Sequence, residues 1–90
     1  MYEIEYTNSF KKDYKRILKR GCDASLLFGL IEQLMNVGQV NLKYKPHKLL
    51  GKYSGYWECH IQPDWLLIWS INEEEKQISL LYTGIHSDLF

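Results

Sequence analysis

The amino-acid sequence predicts an α+β fold, in which a small, mostly antiparallel sheet carries a helical hairpin packed on one face. Residues 2–6 alternate apolar with acidic side chains, which is the period of a half-buried strand. Two stretches with apolar residues at helical spacing follow, joined by the short link 21–22. Three apolar runs separated by turn residues complete the chain. The order is therefore β-α-α-β-β-β, and the sheet face opposite the helices is expected to form a shallow bowl.

The first helix is expected from about Ser9 to Arg20. Side-chain oxygens at residues 7–9 can cap its start, and Gly21 can end it in a left-handed conformation. Its apolar residues recur at i, i+4, i+7 and i+8 from Phe10, and nearly all its other positions are basic. A solvated face is the ordinary explanation of such cations, and a phosphate-facing surface is the functional one.

The second helix should cover residues 24–37, capped by Asp23 and closed by Gly38. Apolar residues occupy more than half of its circumference, so we expect it to be buried against both the sheet and the first helix. A long connection, residues 39–55, then carries four lysines and a histidine. Long loops inside small domains are often functional.

Three strands should follow at residues 56–61, 65–71 and 77–83, with turns at 62–64 and 72–76. The middle strand is apolar at six of its seven positions, which is typical of a central strand covered on both faces. With the first strand, these runs would make a sheet of four strands.

Size and composition predict one domain, residues 1–90, with enough apolar residues for a packed core. The net charge is zero, but residues 1–60 hold ten of the eleven Lys and Arg residues against six acids. One surface is therefore expected to meet an anionic partner.

The two cysteines match no zinc or redox spacing, the charged first residues form no signal peptide, and no apolar run could cross a bilayer. The cytoplasm, with reduced thiols, is the expected location.

Three histidines, one aspartate and a phenylalanine are the candidate functional residues. His47 lies in the long loop, His60 near the end of a strand and Asp64 in the turn after it, while His86 and Phe90 follow the last strand. Antiparallel neighbours place the end of one strand beside the start of the next, so these side chains are expected to converge near one edge of the sheet.

Each of these residues also has a structural explanation, and three chemistries compete for the set. A histidine on a strand is usually a satisfied structural group, and an aspartate after Pro63 is an ordinary turn residue. A metal site is disfavoured because no pair of ligands has helical i, i+4 spacing, so no cofactor is expected. A Cys59–His60 nucleophile is disfavoured because adjacent strand residues point to opposite faces, and Cys59 is expected in the core. Acid–base cleavage of RNA needs what the sequence offers: histidines for both proton transfers, lysines for phosphate and aromatic rings for bases.

Three segments carry a resemblance to a known family: Lys45–Gly51, Glu58–Ile68 and Thr83–Phe90. Their motifs, His-x-x-Pro-Asp-Trp and Thr-Gly-x-His-x-x-Leu-Phe, resemble the YafQ branch of the RelE/ParE toxin superfamily, and the resemblance covers the whole chain. It implies a toxin of a type II toxin–antitoxin system, a ribosome-dependent mRNA endoribonuclease that acts in the A site and inhibits translation. Cleavage would be metal-independent and would use the RNA 2′-hydroxyl. The implied partners are mRNA, the ribosome and a cognate antitoxin; operator DNA would be met only through that antitoxin, and no membrane is involved.

The resemblance places the active site at His47, His60, Asp64, His86 and Phe90. His86 would be the general acid, His60 or Asp64 would assist the base, and Phe90 would stack on the nucleotide. His47 stands between two lysines, whose like charge would disfavour its protonated form and suit it to act as a base or neutral donor. The residues expected to contact RNA or the ribosome are Lys11, Lys12, Lys15, Arg16, Lys19, Lys43, Lys45, Lys48, Lys52 and Trp65.

Two alternatives stay open at this point. A ParE-like chain would inhibit DNA gyrase without cutting RNA, although such a protein has no need of three histidines and an aspartate in one bowl. A catalytically silent homologue would act only with its antitoxin, as a repressor complex.

At the end of the last strand, Gly84 is expected to turn the chain away from the sheet towards His86.

Overall fold

The computed structural model describes residues 1–90 and contains five strands, three α-helices and two short 3₁₀ turns. The strands are β1 (Glu3–Tyr6), β2 (His47–Lys48), β3 (Trp57–Gln62), β4 (Trp65–Asn72) and β5 (Gln77–Ile85). The α-helices are α1 (Asn8–Lys19), α2 (Ala24–Val37) and α3 (His86–Leu89), and the 3₁₀ turns cover Leu42–Tyr44 and Gly51–Tyr53. The predicted α+β fold is confirmed, with β2 and α3 as additions that the sequence did not predict.

All five strands form one sheet in the order β1-β5-β4-β3-β2. Only β1 and β5 pair in parallel; the other three pairs are antiparallel. The central position of β4 agrees with its composition, because every residue from Trp65 to Trp69 is buried. The pairing of β4 with β5 shifts register between Ile68 and Trp69, which marks a β-bulge in β5.

Local capping explains where the two long helices begin and end. The Thr7 hydroxyl accepts a hydrogen bond from the Phe10 N–H at the start of α1, and the Asp23 carboxylate accepts one from the Ser25 N–H at the start of α2. Gly38 ends α2 with φ of 75° and donates its N–H to the Leu34 carbonyl. A Cβ at Gly38 would also lie 2.5 Å from the Tyr2 ring, so no other residue fits there without a shift.

The core lies between the two long helices and one face of the sheet. It includes Ile17 from α1, Leu30 and Leu34 from α2, and Leu67 and Leu80 from the central strands, all at most 1% exposed.

Three apolar side chains of α2 do not join that core, and one of them is Val37, 66% exposed at the end of the helix. Phe28 is 49% exposed and Leu26 is 40% exposed. The expectation that α2 is buried on two sides was therefore too broad, because α1 covers only part of its second face: the Tyr14 ring reaches Phe28 at 5.9 Å between centroids.

The end of β5 also corrects an expectation. Gly84 does not turn the chain off the sheet; it pairs with Leu66 inside the ladder, and the chain turns only after Ile85, where α3 begins. A Cβ at Gly84 would lie 3.2 Å from an Asp88 carboxylate oxygen, so the glycine lets α3 fold back closely onto the strand. No helix in the structure is long and apolar enough to span a membrane.

Candidate active site

The site is built on the sheet face opposite the core. On β3, Glu58 and His60 are two residues apart and therefore point to the same face. Pairing with β2 sets His47 directly opposite Glu58, and pairing with β4 and β5 aligns His60 with Leu66 and then with Gly84. The two-residue strand β2 thus fixes the position of a histidine that the sequence placed in an irregular loop.

His47 uses both of its ring nitrogens. Nδ1 lies 2.9 Å from the backbone carbonyl oxygen of Lys45, and Nε2 lies 3.1 Å from a carboxylate oxygen of Glu58. Glu58 is only 6% exposed. The expected setting of like charges was therefore wrong: the Lys48 ammonium lies over the Trp57 ring, 5.6 Å from its centroid, and the nearest charge to the imidazole is a carboxylate.

His60 lies beside His47, with 6.3 Å between ring centroids. Its Nδ1 is 3.3 Å from the Pro63 carbonyl oxygen. A carbonyl oxygen only accepts hydrogen bonds, so this contact assigns the proton to Nδ1 and leaves the Nε2 lone pair free in the neutral ring. A histidine with a free Nε2 on an open surface has the geometry of a general base.

Asp64 and His86 meet on the other side of this face. The pairing of Trp65 with Ile85 places their neighbours side by side, and the His86 backbone N–H reaches an Asp64 carboxylate oxygen at the long distance of 3.4 Å. The His86 imidazole remains exposed, and its ring centroid lies 5.1 Å from that of Phe90. Asp64 therefore contacts the backbone of His86 in this structure, and the ring keeps its nitrogens for a ligand.

An aromatic wall closes this side of the site. Tyr53, from the second 3₁₀ turn, meets the Phe90 ring edge-on at 5.5 Å between centroids. Phe90 is still 51% exposed. An aromatic face that is supported from one side and open on the other suits stacking with an unpaired base. Tyr53 was not among the predicted site residues.

An ion pair holds α3 in place. The Arg20 guanidinium binds both carboxylate oxygens of Asp88, with 2.9 Å between Nη2 and Oδ1, and Asp88 also accepts the Ile85 N–H at 3.3 Å. The hydrogen bond from Arg20 lowers the pKa of the Asp88 carboxyl. These contacts tie the segment that carries His86 and Phe90 to the end of α1, a tether that the sequence did not reveal.

A second carboxylate supports the same region from α1. Asp13 is buried and accepts the Thr83 N–H at 3.1 Å, while Arg16 lies 3.3 Å from its other oxygen. Burial raises the pKa of the Asp13 carboxyl, against the hydrogen bond from Thr83 and the charge of Arg16. Arg16 and Asp13 also line a pocket of about 230 Å³ together with Tyr53 and Tyr82. Of the predicted cations on α1, Arg16 is thus the one that the structure places at a pocket beside the aromatic wall.

The other predicted cations form a solvent-exposed set. Lys11, Lys12, Lys15 and Lys19 on α1 are exposed and take part in no ion pair. Lys43 and Lys52 lie over the rings of Tyr44 and Tyr53, and Lys45 lines an open groove beside His60. These ammonium groups are free to meet phosphates without first breaking an internal salt bridge.

Trp65 requires a correction. It was expected to contact RNA or the ribosome, yet it is 2% exposed and its indole N–H donates to the Thr83 hydroxyl at 2.9 Å. A ring buried in this way has no face to offer a base.

The expectation for Cys59 was correct: it is fully buried, and burial raises the pKa of its thiol to about 12, so it is no nucleophile at neutral pH.

The candidate residues therefore form two groups on one face. His47, Glu58 and His60 make up one group, and Asp64, His86 and Phe90 the other. β3 carries Glu58 and His60, and β5 ends just before His86. Neighbouring strands are about 4.8 Å apart, so these two strands lie about 10 Å apart across β4. Glu58 was missed, although a carboxylate two residues before His60 on a largely buried strand was a usable signal.

The comparisons with known proteins agree with this architecture. A family model described as bacterial toxin of type II toxin–antitoxin system, YafQ, matches residues 2–90. The chain belongs to the YafQ family. The resemblance seen in its sequence motifs is thereby confirmed.

Three YafQ-family or toxin relatives illustrate how close the match is. The mRNA interferase toxin YafQ of Escherichia coli K12 is 36% identical over 89 residues, covering 98% of this chain and 95% of the relative. In the crystal structure of the E. coli DinJ–YafQ complex, the matching chain is 35% identical with a TM-score of 0.88, covering 100% of this chain and 99% of that one. A metal-bound toxin from Helicobacter pylori is 38% identical with a TM-score of 0.90, and both chains are covered completely.

Metal binding by the H. pylori toxin raises the question of ligands in this YafQ-family chain. No three His, Cys, Asp or Glu side chains, the group of His47, Glu58 and His60 included, are arranged so that they could hold one metal ion. Nε2 of His47 already contacts Glu58, and Asp64 reaches only the backbone of His86.

Proposed function

We propose that this chain is an mRNA interferase toxin that cuts messenger RNA on the translating ribosome and is held inactive by a cognate antitoxin. Membership of the YafQ family supports the toxin assignment, and the enzyme class is the one that the E. coli relatives carry in their names, as predicted. The E. coli relative crystallised with DinJ supports an antitoxin as partner. The activity belongs in the cytoplasm, where mRNA is translated, and DNA is met only through the antitoxin.

The reaction proposed is attack of the RNA 2′-hydroxyl on the neighbouring phosphate. A base removes the 2′-proton as the O2′–P bond forms, and an acid protonates the 5′-oxygen as the P–O5′ bond breaks. The products are a 2′,3′-cyclic phosphate and a 5′-hydroxyl, so no outside reactant is needed. Each proton transfer by a positioned side chain is worth about 10²–10⁴-fold in rate.

His60 and His86 are assigned the two proton transfers. The observation that carries the proposal is their arrangement: His60 has a free Nε2, His86 has an exposed ring, and the strands beside them lie about 10 Å apart on one open face. In-line transfer needs a base and an acid on opposite sides of one phosphate. The distance between these two side chains must then accommodate two hydrogen bonds of about 2.9 Å and the phosphoryl group between them. Protonated His86 would be the acid and neutral His60 the base, and Asp64 would fix the His86 backbone.

The rest of the site would hold the RNA. Phe90, supported by Tyr53, offers a stacking face for the base at the cut. Arg16 is placed to neutralise a phosphate near the aromatic wall, and the exposed lysines supply a wider surface for ribosomal RNA. A surface of this kind, open and without a deep pocket for one nucleotide, favours RNA that another particle already holds in place. The ribosomal A site would provide that positioning.

A translation extract tests the proposal. Purified protein is added to a defined mRNA with and without ribosomes, and cuts are mapped by primer extension. Wild-type protein should cut within codons only in the ribosome-containing reaction, and His60→Gln and His86→Gln should each lose about 10²–10⁴-fold of the rate. Ser87→Ala, beside His86 and exposed, is the matched control and should cut normally. Equal cutting by His86→Gln would refute the assignment, and altered DNA supercoiling without RNA cuts would support gyrase inhibition instead.

A further inference from the structure

The outer edge of β3 is only partly covered, because β2 is two residues long and β3 continues past it. The Leu49 N–H donates to the Tyr56 carbonyl at 2.9 Å, so the backbone groups of Tyr56 face the side of β2. Backbone groups alternate in direction along a strand, so those of His60, four residues further on, face the same side. The pairing with β2 reaches only Trp57 and Glu58. The backbone N–H and carbonyl of His60 therefore point to an edge that no strand covers.

The conformation of Lys45 explains why the ladder stops there. Continued pairing would bring Lys45 opposite His60, two residues beyond the pair formed by His47 and Glu58. Lys45 instead has a left-handed backbone with φ of 54°, which a strand cannot contain, and its carbonyl lies beside Nδ1 of His47. The edge at His60 is thus left open by the chain itself.

A groove of about 350 Å³ lies along this open edge. Residues 60–63 form one wall, and Lys43 and Lys45 stand on the other. Both lysines are exposed and form no ion pair, and no acidic side chain lines the groove. Ammonium groups and backbone N–H groups are the usual contacts of nucleic-acid phosphates. The groove is therefore suited to an anionic strand, and it leads directly to the His60 imidazole.

The roles proposed for the two histidines give such a strand a direction. The attacking 2′-hydroxyl belongs to the nucleotide on the 5′ side of the cut, and its proton goes to His60, which lines the groove. The leaving 5′-oxygen belongs to the nucleotide on the 3′ side, and it takes its proton from His86, whose ring centroid is 5.1 Å from that of Phe90. RNA that arrives along the groove must then leave over the aromatic wall.

We propose that the groove binds the mRNA strand on the 5′ side of the cut, with Lys43, Lys45 and the His60 N–H as its phosphate contacts. The strand then crosses the sheet face from β3 to α3, and its 3′ part lies over Phe90 towards Arg16. The direction rests on the proposed ribonuclease function, whereas binding of RNA in the groove does not depend on cutting. The competing occupant is an extended antitoxin segment, which would pair with the open edge through backbone groups and would not need the lysine charges.

Removing one phosphate charge at a time tests the direction. Ribosome-bound mRNA is prepared with an uncharged methylphosphonate at the phosphate before the scissile one or at the phosphate after it. On the normal message, the double variant Lys43→Gln with Lys45→Gln should cut at least about tenfold more slowly than wild type, the effect of losing a charge-assisted contact. The upstream methylphosphonate should slow wild type to a similar degree and slow the double variant little further. The downstream methylphosphonate should slow both proteins by the same factor. Lys76→Gln, at the opposite end of β5 from His86, is the matched control and should cut normally.

Two outcomes of this experiment would overturn the proposal. If the downstream methylphosphonate removes the difference between wild type and the double variant, the strand runs in the opposite direction. If the double variant cuts normally but binds its antitoxin more weakly, the open edge belongs to the antitoxin.

Crosslinking locates the RNA without relying on cutting, so it separates this proposal from the proposed function. A short single-stranded RNA with a photoreactive thiouridine at its 5′ end should crosslink to residues 43–45 or 60–63. The same RNA with the thiouridine at its 3′ end should crosslink to residues 86–90. The double variant should lose the first crosslink and keep the second. Crosslinks in the reverse order, or none in the groove, would overturn the proposal, whereas the expected crosslinks without any cutting of mRNA would count against the proposed function alone.

Discussion

The hydroxyl of Thr83 joins two buried groups, and its removal gives a worked prediction. Trp65 Nε1–H donates to this hydroxyl at 2.9 Å, and the hydroxyl donates to the Leu66 carbonyl at 2.8 Å. Thr83 is fully buried. Thr83→Val keeps the shape of the side chain but removes both hydrogen bonds and leaves the indole N–H without a partner.

The cost can be estimated from these contacts. A buried donor left unpaired costs about 1–3 kcal/mol, and the lost bond to the carbonyl adds about 1 kcal/mol. The free energy of unfolding should therefore fall by about 2–4 kcal/mol. For a chain of this length each kcal/mol lowers the melting temperature by about 4–8 °C, so the midpoint should drop by at least about 8 °C.

Urea unfolding followed by tryptophan fluorescence measures this loss, with Thr83→Ser as the matched control. The serine variant keeps the hydroxyl and loses one methyl group, which costs about 1 kcal/mol. The valine variant should therefore be clearly less stable than the serine variant. If the two unfold at the same urea concentration, the hydrogen bonds of Thr83 contribute little, and the structural account of Trp65 fails. As a second readout, folded Trp65→Phe should cut mRNA at close to the wild-type rate, because a buried ring contacts no RNA.

Three further predictions concern the α3 segment and its supports. Deleting residues 89–90 should strongly reduce the rate of mRNA cutting and leave the urea midpoint close to that of wild type, because the deletion removes the exposed Phe90 ring. A large fall in the urea midpoint together with the lost activity would mean that this segment is only structural. Asp88→Asn should weaken the tether to Arg20 and lower the free energy of unfolding. Because the pKa of Asp88 is lowered, its contribution to stability is present above the ordinary carboxyl pKa and is lost as pH falls through the lowered value. The difference in unfolding free energy between wild type and variant, measured in urea, should therefore shrink between about pH 7 and about pH 3. The pKa of Asp13 is raised instead, so its ionisation costs stability as pH rises above the ordinary carboxyl pKa. The stability of Asp13→Asn relative to wild type should therefore increase over the same rise in pH. A stability difference that does not change with pH would contradict the shift.

The sequence predicted the two long helices well because their ends are decided locally. Thr7, Asp23 and Gly38 act within a few residues of themselves, and each acts in the structure as expected. The central position of β4 was also predictable, since a nearly continuous apolar run is stable only when both faces are covered.

The features that sequence reasoning missed depend on partners far along the chain. β2 is two residues long and exists only because His47 and Lys48 pair with β3. The contact of Glu58 with His47 depends on that same register, and the tether between Arg20 and Asp88 joins residues 68 positions apart. Trp65 was misassigned because a family motif shows that a residue is present but not which way its ring points; only the bond to Thr83 shows that the ring faces the interior.

The site itself was predicted in its members and only partly in its roles. All five predicted catalytic residues lie on or beside one sheet face, but they divide into two groups rather than one cluster. The division is informative, because a base and an acid that act on opposite sides of a phosphate must be separated by it. Nδ1 of each ring lies beside a backbone carbonyl, and the Glu58 carboxylate then distinguishes His47, whose Nε2 it contacts, from His60, whose Nε2 is free.

The most direct test of the central claim is chemical and uses the RNA itself. Ribosome-bound mRNA is prepared with a single 2′-deoxynucleotide at the position that the wild-type protein cuts, and is compared with the unmodified message. Cleavage through the 2′-hydroxyl predicts that the modified message stays intact, while the unmodified one yields a 2′,3′-cyclic phosphate and a 5′-hydroxyl. Cutting of the deoxy-substituted position at an equal rate would contradict the mechanism assigned to His60 and His86.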